Sequence, residues 1–327
     1  MRSHSLKCGA VIGLMALGLI AAAAPAAAAD KPGTSTIDFI YPKDFEGVSL
    51  AVQDASSPAA KASKLSVKLY GGYAHVLAGD VNEGTDYYFE ILEAYAAEGL
   101  GTVTGSYKPV HGGYNFGGDI IYQLSPKLGL GLGVGYMRNS SSSLGTFSES
   151  EVGEVTITAA PTLTAMPIRL GLFFTTPLSA KLNLTADAGA AYYAGLKLEA
   201  VQGLEFSPDE WMNMTVEGSE RSGIDVGFQG SLGVEYMLSP KLGLFVEAAG
   251  RYAKFSNFEI VTGTMAGSGG SPETVEGKLY IASDDFGTYE ISGFTIVETG
   301  DTPDPTYWEP KIDFSGFSLQ AGIRIRL

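Results

Sequence analysis

Beyond residue 29 this chain of 327 residues has no cysteine; the one it contains is Cys8. That excludes a disulfide framework or a cysteine-ligated metal in everything that follows. Histidine is almost as scarce, with His75 and His111 the two beyond residue 29. Positive charge is short too. The chain holds 21 Lys plus Arg against 36 Asp plus Glu, a net −15, which excludes the basic footprint of a nucleic-acid binder. No apolar run after residue 29 approaches the ~18 residues that a membrane helix requires. Any membrane crossing must therefore be made by strands.

What is present begins with MRSHSLKCGAVIGLMALGLIAAAAPAAAAD, which has a basic start (Arg2, Lys7), an apolar stretch from Ala10 to Ala24 and small residues before Asp30. This reads as a secretory signal peptide, residues 1–29, cleaved near Ala29. A lipoprotein would need its cysteine at the end of the apolar stretch, whereas Cys8 sits at the beginning. Removing Arg2 and Lys7 leaves 19 basic residues against 36 acids, a net −17. Residues 30–63 show no sustained period and carry Pro, Ser and Ala punctuation, and are read as a loosely structured periplasmic leader. Residues 64–327 follow a different grammar.

In that region apolar residues alternate with Gly, polar or charged ones over about ten residues, the spacing of a tilted membrane strand. Eight stretches stand out: Leu65 to Leu77, Gly113 to Leu124, Leu128 to Arg138, Met166 to Thr176, Leu182 to Ala194, Ile224 to Leu238, Leu242 to Phe255 and Phe314 to Leu327. Three of the connections are very short: LSPKLGL occurs twice, from Leu124 and from Leu238, and PLSAKLNL starts at Pro177. In Leu-Ser-Pro-Lys, proline pre-sets φ near −65° at the second turn position and serine bonds back to the chain. The other connections, residues 78–112, 139–165, 195–223 and 256–313, are long. Short turns at one end, long loops at the other and an even strand count predict an all-β, eight-stranded antiparallel up-and-down transmembrane barrel with periplasmic turns and extracellular loops.

Parity sorts the side chains. With the apolar set outward, Ile224, Val226, Phe228, Leu232, Val234 and Tyr236 face lipid on the sixth strand, and Leu242, Leu244, Val246 and Tyr252 on the seventh. The inward set then includes Asp225, Gln229 and Gln320, and eight charges: Lys68, Arg169, Arg251 and Arg324 against Asp119, Asp187, Glu235 and Glu247. An eight-stranded barrel is only just wide enough for side chains to fill it, and buried charges must be paired. Four against four predicts a salt-bridge network that plugs the lumen. The inward row Gly129, Gly131, Gly133 and Gly135 makes room for it. Tyr136, Tyr192 and Tyr252 end the hydrophobic rows near the long loops, like an interfacial girdle.

From Leu65 to Leu327 the chain resembles small outer-membrane β-barrel proteins of the OmpA-like, OmpW-like and opacity-like group. The sharpest local match is the end, Gln320-Ala-Gly322-Ile-Arg-Ile325-Arg-Leu327. It is similar to the signal that the barrel assembly machinery reads on a last strand, with Leu327 where Phe is usual. The resemblance implies insertion into the bacterial outer membrane with periplasmic termini, and contact with outer-membrane lipid and lipopolysaccharide. It transfers no activity.

The long connections carry the acid; residues 256–313 alone hold eleven Asp or Glu against Lys278 and Lys311. No spaced Asp-x-Asp-x-Asp loop is present, so no metal and no cofactor is expected. An acidic outer face repels anionic lipopolysaccharide unless divalent cations bridge the two. Within the first long connection, DYYFEILEAYAAEGLG (Asp86 to Gly101) predicts a short helix with Thr85 or Asp86 as cap, Gly99 as stop and Tyr87, Ile91 and Tyr95 along one face. Within the last, KLYIASDDFGTYEISGFTIV (Lys278 to Val297) predicts a hairpin around Asp-Asp-Phe-Gly. Neither His75 nor His111 falls in a recognisable catalytic motif, and the reading is of a non-enzyme. A structural or surface-interaction barrel with a plugged lumen and an extracellular ligand left open comes first. A small passive channel for small or apolar solutes and a lipid-modifying enzyme are the alternatives.

Overall fold

A computed structural model of the chain describes residues 64–149, 153–207, 209–221, 225–256, 258–286 and 289–327. The expected signal peptide, the leader and the outward Ile224 lie outside them. The chain runs through β1 (Leu65–Gly79), helix α1 (Val81–Ala97), β2 (Thr102–Gly105), β3 (Gly112–Gln123), β4 (Leu128–Ser140), β5 (Ser143–Glu149), β6 (Gly153–Pro177) and β7 (Leu182–Ser207). It continues through β8 (Glu210–Arg221), β9 (Val226–Met237), β10 (Leu242–Tyr252), β11 (Lys254–Phe255), β12 (Phe258–Gly267), β13 (Glu273–Phe286), β14 (Tyr289–Glu298) and β15 (Ile312–Arg326).

Antiparallel pairing closes a ring through β1, β3, β4, β6, β7, β9, β10 and β15, the last of which pairs with both β10 and β1. Each ring strand overlaps one of the eight stretches read from the sequence, with β1, β4, β6 and β7 containing theirs whole and β3, β9, β10 and β15 falling one to three residues short. The three short turns share one geometry. In the first, Leu124 N–H and Ser125 N–H donate to Leu128 O at 2.9 and 3.0 Å, and Ser125 Oγ accepts Lys127 N–H and Leu128 N–H. Ser179 and Ser239 repeat the pattern, which ties the serine to chain reversal rather than to a ligand.

The ring's outer surface is apolar, with Ile120, Leu132, Leu170, Phe228 and Val246 all more than half exposed. Aromatic rings bound it at both ends. Tyr73, Tyr114, Tyr192 and Tyr252 lie toward the long connections, and Tyr122, Phe174 and Tyr236 toward the short turns. Tyr114 and Tyr122 are eight residues apart on one strand, which at ~3.4 Å per residue and a tilt near 40° is roughly 20 Å of height.

The connections 139–165 and 195–223, read as loops, are strand over most of their described length, and here the sequence reading is corrected. β6 and β7 run on beyond the ring, β5 and β2 add to β6, and β8, β12, β13 and β14 add in turn to β7. The hydrophobic face reverses where they leave the ring. Along the lower part of β6, Ile168, Leu170 and Phe174 point out; along its upper part Val155, Ile157, Ala159, Leu163 and Ala165 are buried and threonines point out. Gly195, at φ +57°, accompanies a one-residue register shift against Thr164 and Met166, so the buried set on β7 passes from Ala191 and Tyr193 to Leu196 and Leu198.

Helix α1 packs against β14, β6, β2 and β7. It begins at Val81, after Asp80, a turn earlier than the tyrosine pattern predicts. The carboxylate of Asp80 makes no side-chain cap; it accepts Lys311 N–H at 2.8 Å. The buried stripe is Val81, Thr85 and Phe89, not Tyr87, Ile91 and Tyr95, and Tyr95 is exposed. Gly99, at φ +82°, follows the C-cap Glu98 and stops the helix, because only glycine takes that conformation without strain. Residues Gly277 to Phe286 pair with Tyr289 to Glu298, making the predicted hairpin.

Candidate functional site

The ring interior is where charge is buried. Lys68, Asp119, Arg169, Asp187, Glu235, Glu247, Arg251 and Arg324 all point inward and are between 1 and 9% exposed. Strand alternation puts them there: on each ring strand their neighbours at i±1 carry the apolar outer surface.

Five of the eight form one connected chain. Arg169 holds Asp119 in a two-point grip, through Nε at 2.6 Å and through Nη2, and reaches Asp187 with Nη1 at 3.3 Å. Asp187 is 3.6 Å from Lys68 Nζ, which in turn lies 2.6 and 2.7 Å from the two oxygens of Glu247. Gln320 donates to Glu247 at 2.7 Å and accepts from Asn115 at 3.0 Å, while Ser231 donates to Asp187 at 2.5 Å. Lys68 Nζ lies 4.8 Å from the ring centre of Phe245, and the Arg169 guanidinium 5.1 Å from that of Phe173. Each cation is thus enclosed by carboxylates and aromatic faces, the arrangement a desolvated charge needs.

Glycine makes the space. A β-carbon at Gly133 would overlap Asp119 Oδ1, one at Gly131 would meet Phe173, and one at Gly129 would meet Ile121. The glycine row on β4 is therefore the complement of large side chains on β3 and β6.

The remaining three charges depart from a four-against-four pairing. Glu235 lies near the short turns with Arg324 at 3.7 Å and Arg326 at 2.6 Å. Arg326, which the inward set omitted, carries the same parity as Arg324. Arg251 has no carboxylate partner among the described residues. Its guanidinium donates to Phe314 O (2.7 Å), His75 O (2.6 Å) and Ser318 Oγ (2.7 Å). Backbone carbonyls are invisible to a count of charged residues, which is why that count overstated the pairing.

Beyond Arg251, toward the long connections, the lumen gives way to an apolar cluster that includes Met137, Tyr193, Ala253, Phe255 and Phe314. Tyr193 packs on Phe255 with ring centres 5.2 Å apart. Between the levels of Arg169 and Arg251 lies a cavity of about 40 Å³ lined by Tyr70, Asn115 and Tyr193 among others, room for roughly three waters.

Of the C-terminal signal residues, Gln320, Gly322 and Ile325 lie on β15, where Gly322 pairs with Tyr70 on one side and Phe245 on the other. Leu327 ends the chain, exposed, with its N–H on Leu65 O at 3.0 Å. His75 and His111 come together near the upper rim, ring centres 5.2 Å apart. His75 stacks outward on Phe317 at 5.0 Å, and His111 Nδ1 is 3.0 Å from Val76 O.

No curated protein matches this sequence. Among solved structures, it is similar to the outer membrane protease OmpT of Escherichia coli at 9% identity, over 83% of this chain and 99% of that one, with a TM-score of 0.36. It is also similar to the outer membrane protein OprG of Pseudomonas aeruginosa at 11% identity, over 81% and 96%, with a TM-score of 0.29. The family model of the outer membrane protein beta-barrel domain matches residues 48–276, which include seven of the eight ring strands. The chain therefore belongs to the outer membrane protein β-barrel family and is a protein of the bacterial outer membrane.

Proposed function

We propose that the chain is an eight-stranded transmembrane barrel with a closed lumen, serving as a membrane anchor for the sheet and helix built on its upper rim, and that this upper body makes surface interactions. One observation carries the reading: the lumen is crossed by the Asp119–Arg169–Asp187–Lys68–Glu247 chain and then filled by the Tyr193–Phe255–Phe314 cluster. An ion passing through would have to break buried pairs and then enter an apolar plug, and both steps are costly. The reversal of the hydrophobic face along β6 supports the division of labour, with lipid outside the ring and water outside the upper sheet. Outer-membrane lipid and lipopolysaccharide surround the ring, and the C-terminal strand serves the barrel assembly machinery, in the same reading.

The protein is non-catalytic in this reading. His75 is turned outward onto Phe317 and His111 spends a ring nitrogen near a backbone carbonyl, so neither sits in a nucleophile–base–acid arrangement. The test is reconstitution of the refolded full chain in planar bilayers, after heat-modifiable gel migration confirms the folded barrel. The expected result is a silent membrane; steady single-channel conductance overturns the closed lumen. Incubation with labelled phospholipid or lipopolysaccharide checks the second point. A product formed by the wild type and lost in a His75→Ala, His111→Ala variant overturns the non-catalytic assignment.

A further inference from the structure

The upper body holds a second, half-open cavity of about 240 Å³, walled by residues of α1 and of the sheet above the ring. Its walls include Tyr87 and Tyr88 of α1, Gln202 of β7, Met214 of β8, Phe294 of β14 and Tyr307 of the β14–β15 connection. An apolar cavity of ~150 Å³ holds a benzene ring, so this one has room for a ring with a short side arm.

Three features define what would fit. Gln202 is 1% exposed, its Nε2 is committed to Gly84 O at 2.9 Å, and its Oε1 has no hydrogen-bond partner. Of the seven buried side-chain atoms in this state among the described residues, Gln202 Oε1 is the one whose residue lines this cavity, where a donor would have to come from a bound molecule. The walls bring four aromatic rings and no Lys, Arg or His, and the electron-rich face of such rings attracts a cation. Two carboxylates of α1, Glu83 and Glu90, belong to the same helix as Tyr87 and Tyr88 and interact with Ser292, the residue before the lining Gly293. Burial holds both carboxyls above the usual carboxylate range, with Asp80 adding for Glu83 and Glu83 adding for Glu90.

We propose that this cavity binds a small organic ammonium ion with an apolar body, its N–H donating to Gln202 Oε1, its charge over the tyrosine rings and its body against Met214 and Phe294. An anionic ligand would find no basic partner here, and a neutral polyol would leave the aromatic and acidic surroundings unused. The surrounding chain favours arrival of a cation as well, since residues 256–313 carry eleven acids against two lysines. The proposal rests on the surface-interaction reading of the upper body. It is tested without any conductance measurement, so the two can fail separately.

The experiment is isothermal titration of the refolded full chain in lipid nanodiscs with phenethylammonium, with benzylammonium, with the neutral 2-phenylethanol and with glucose. The expected result is saturable binding of at least one of the two ammonium ions, tenfold or more tighter than 2-phenylethanol, and none of glucose. Gln202→Leu should weaken it tenfold or more. Because that change also removes the bond to Gly84, a second variant, Ala282→Leu, fills the cavity from a wall residue that makes no such bond and should abolish binding with circular dichroism unchanged. Failure of both ammonium ions to bind, equal binding of 2-phenylethanol, binding of glucose, or undiminished binding in Ala282→Leu each overturns the proposal.

Discussion

Gly133 on β4 stands between Asp119 on β3 and Arg169 on β6, directly opposite both, and the two side chains meet over the space that its missing side chain leaves. Any β-carbon there would overlap the Asp119 carboxylate. Gly133→Val should therefore push Asp119 off Arg169 and leave the guanidinium with Asp187 alone. Breaking a buried pair costs about 3–5 kcal/mol, which urea unfolding in lipid vesicles would read as a lowered midpoint. Gly250→Ala is the control. A β-carbon at that position meets nothing within 4 Å, and the expected change is under about 0.5 kcal/mol.

Lys68 and Glu247 test the same lumen by a double-mutant cycle. Lys68→Met leaves Glu247 without a cation and should lose about 3–5 kcal/mol, whereas Glu247→Leu leaves Lys68 with Asp187 at 3.6 Å and should lose less. The double variant should recover most of that, because two apolar side chains replace two desolvated charges. Recovery will be incomplete, since Gln320 Nε2 loses its acceptor on Glu247. Additive losses in the double variant would show that the pair is not energetically coupled.

The ring was legible because lipid outside and charge inside give a period of two with opposite chemistry on the two faces. On β10, Leu244 and Val246 alternate with Phe245 and Glu247, and the pattern needs nothing else to be read. The upper halves of β6 and β7 show a period of two that is just as regular, yet they read as loop. From Val155 to Ala165 the apolar residues are the inward ones and threonines face out, and a rule that sends apolar residues outward has no place for them. The register shift at Gly195 then moves the buried set of β7 by one residue. In the lumen, the charges were readable but their partners were not. Arg251 is satisfied by carbonyls of Phe314 and His75, and in the upper body Gln202 lies 118 positions from the glycine it binds.

Ala180 occupies the place that proline takes in the other two short turns. Leu178 and Ser179 donate to Leu182 O at 2.8 and 3.0 Å, matching Leu124 and Ser125 on Leu128, so the backbone already has the conformation that Pro126 and Pro240 adopt. Ala180→Pro should stabilise the barrel by about 0.4–1 kcal/mol by narrowing the unfolded ensemble. Ser179→Ala should act the other way, by about 0.5–1 kcal/mol, because its hydroxyl accepts the N–H groups of Lys181 and Leu182. Paired urea midpoints of the two variants would check both signs.

Asp86 makes the upper body pH-sensitive. Burial, with Glu90 and Glu93 adding, pushes its carboxyl up to about 7 from an ordinary 3.8. A group whose folded value is raised binds its proton more tightly in the folded state, so stability falls as pH rises from about 4 to about 7, and the cost is fully present above that. Hydrogen-exchange protection of the α1 amides should accordingly be greater at pH 5 than at pH 8. Asp86→Asn carries no charge to desolvate or repel; it should raise protection at pH 8, leave it unchanged near pH 4 and flatten the slope between them. Glu83 and Glu90, raised by burial as well, keep a residual slope in the variant. A variant as pH-dependent as the wild type would remove Asp86 as the main titrating group.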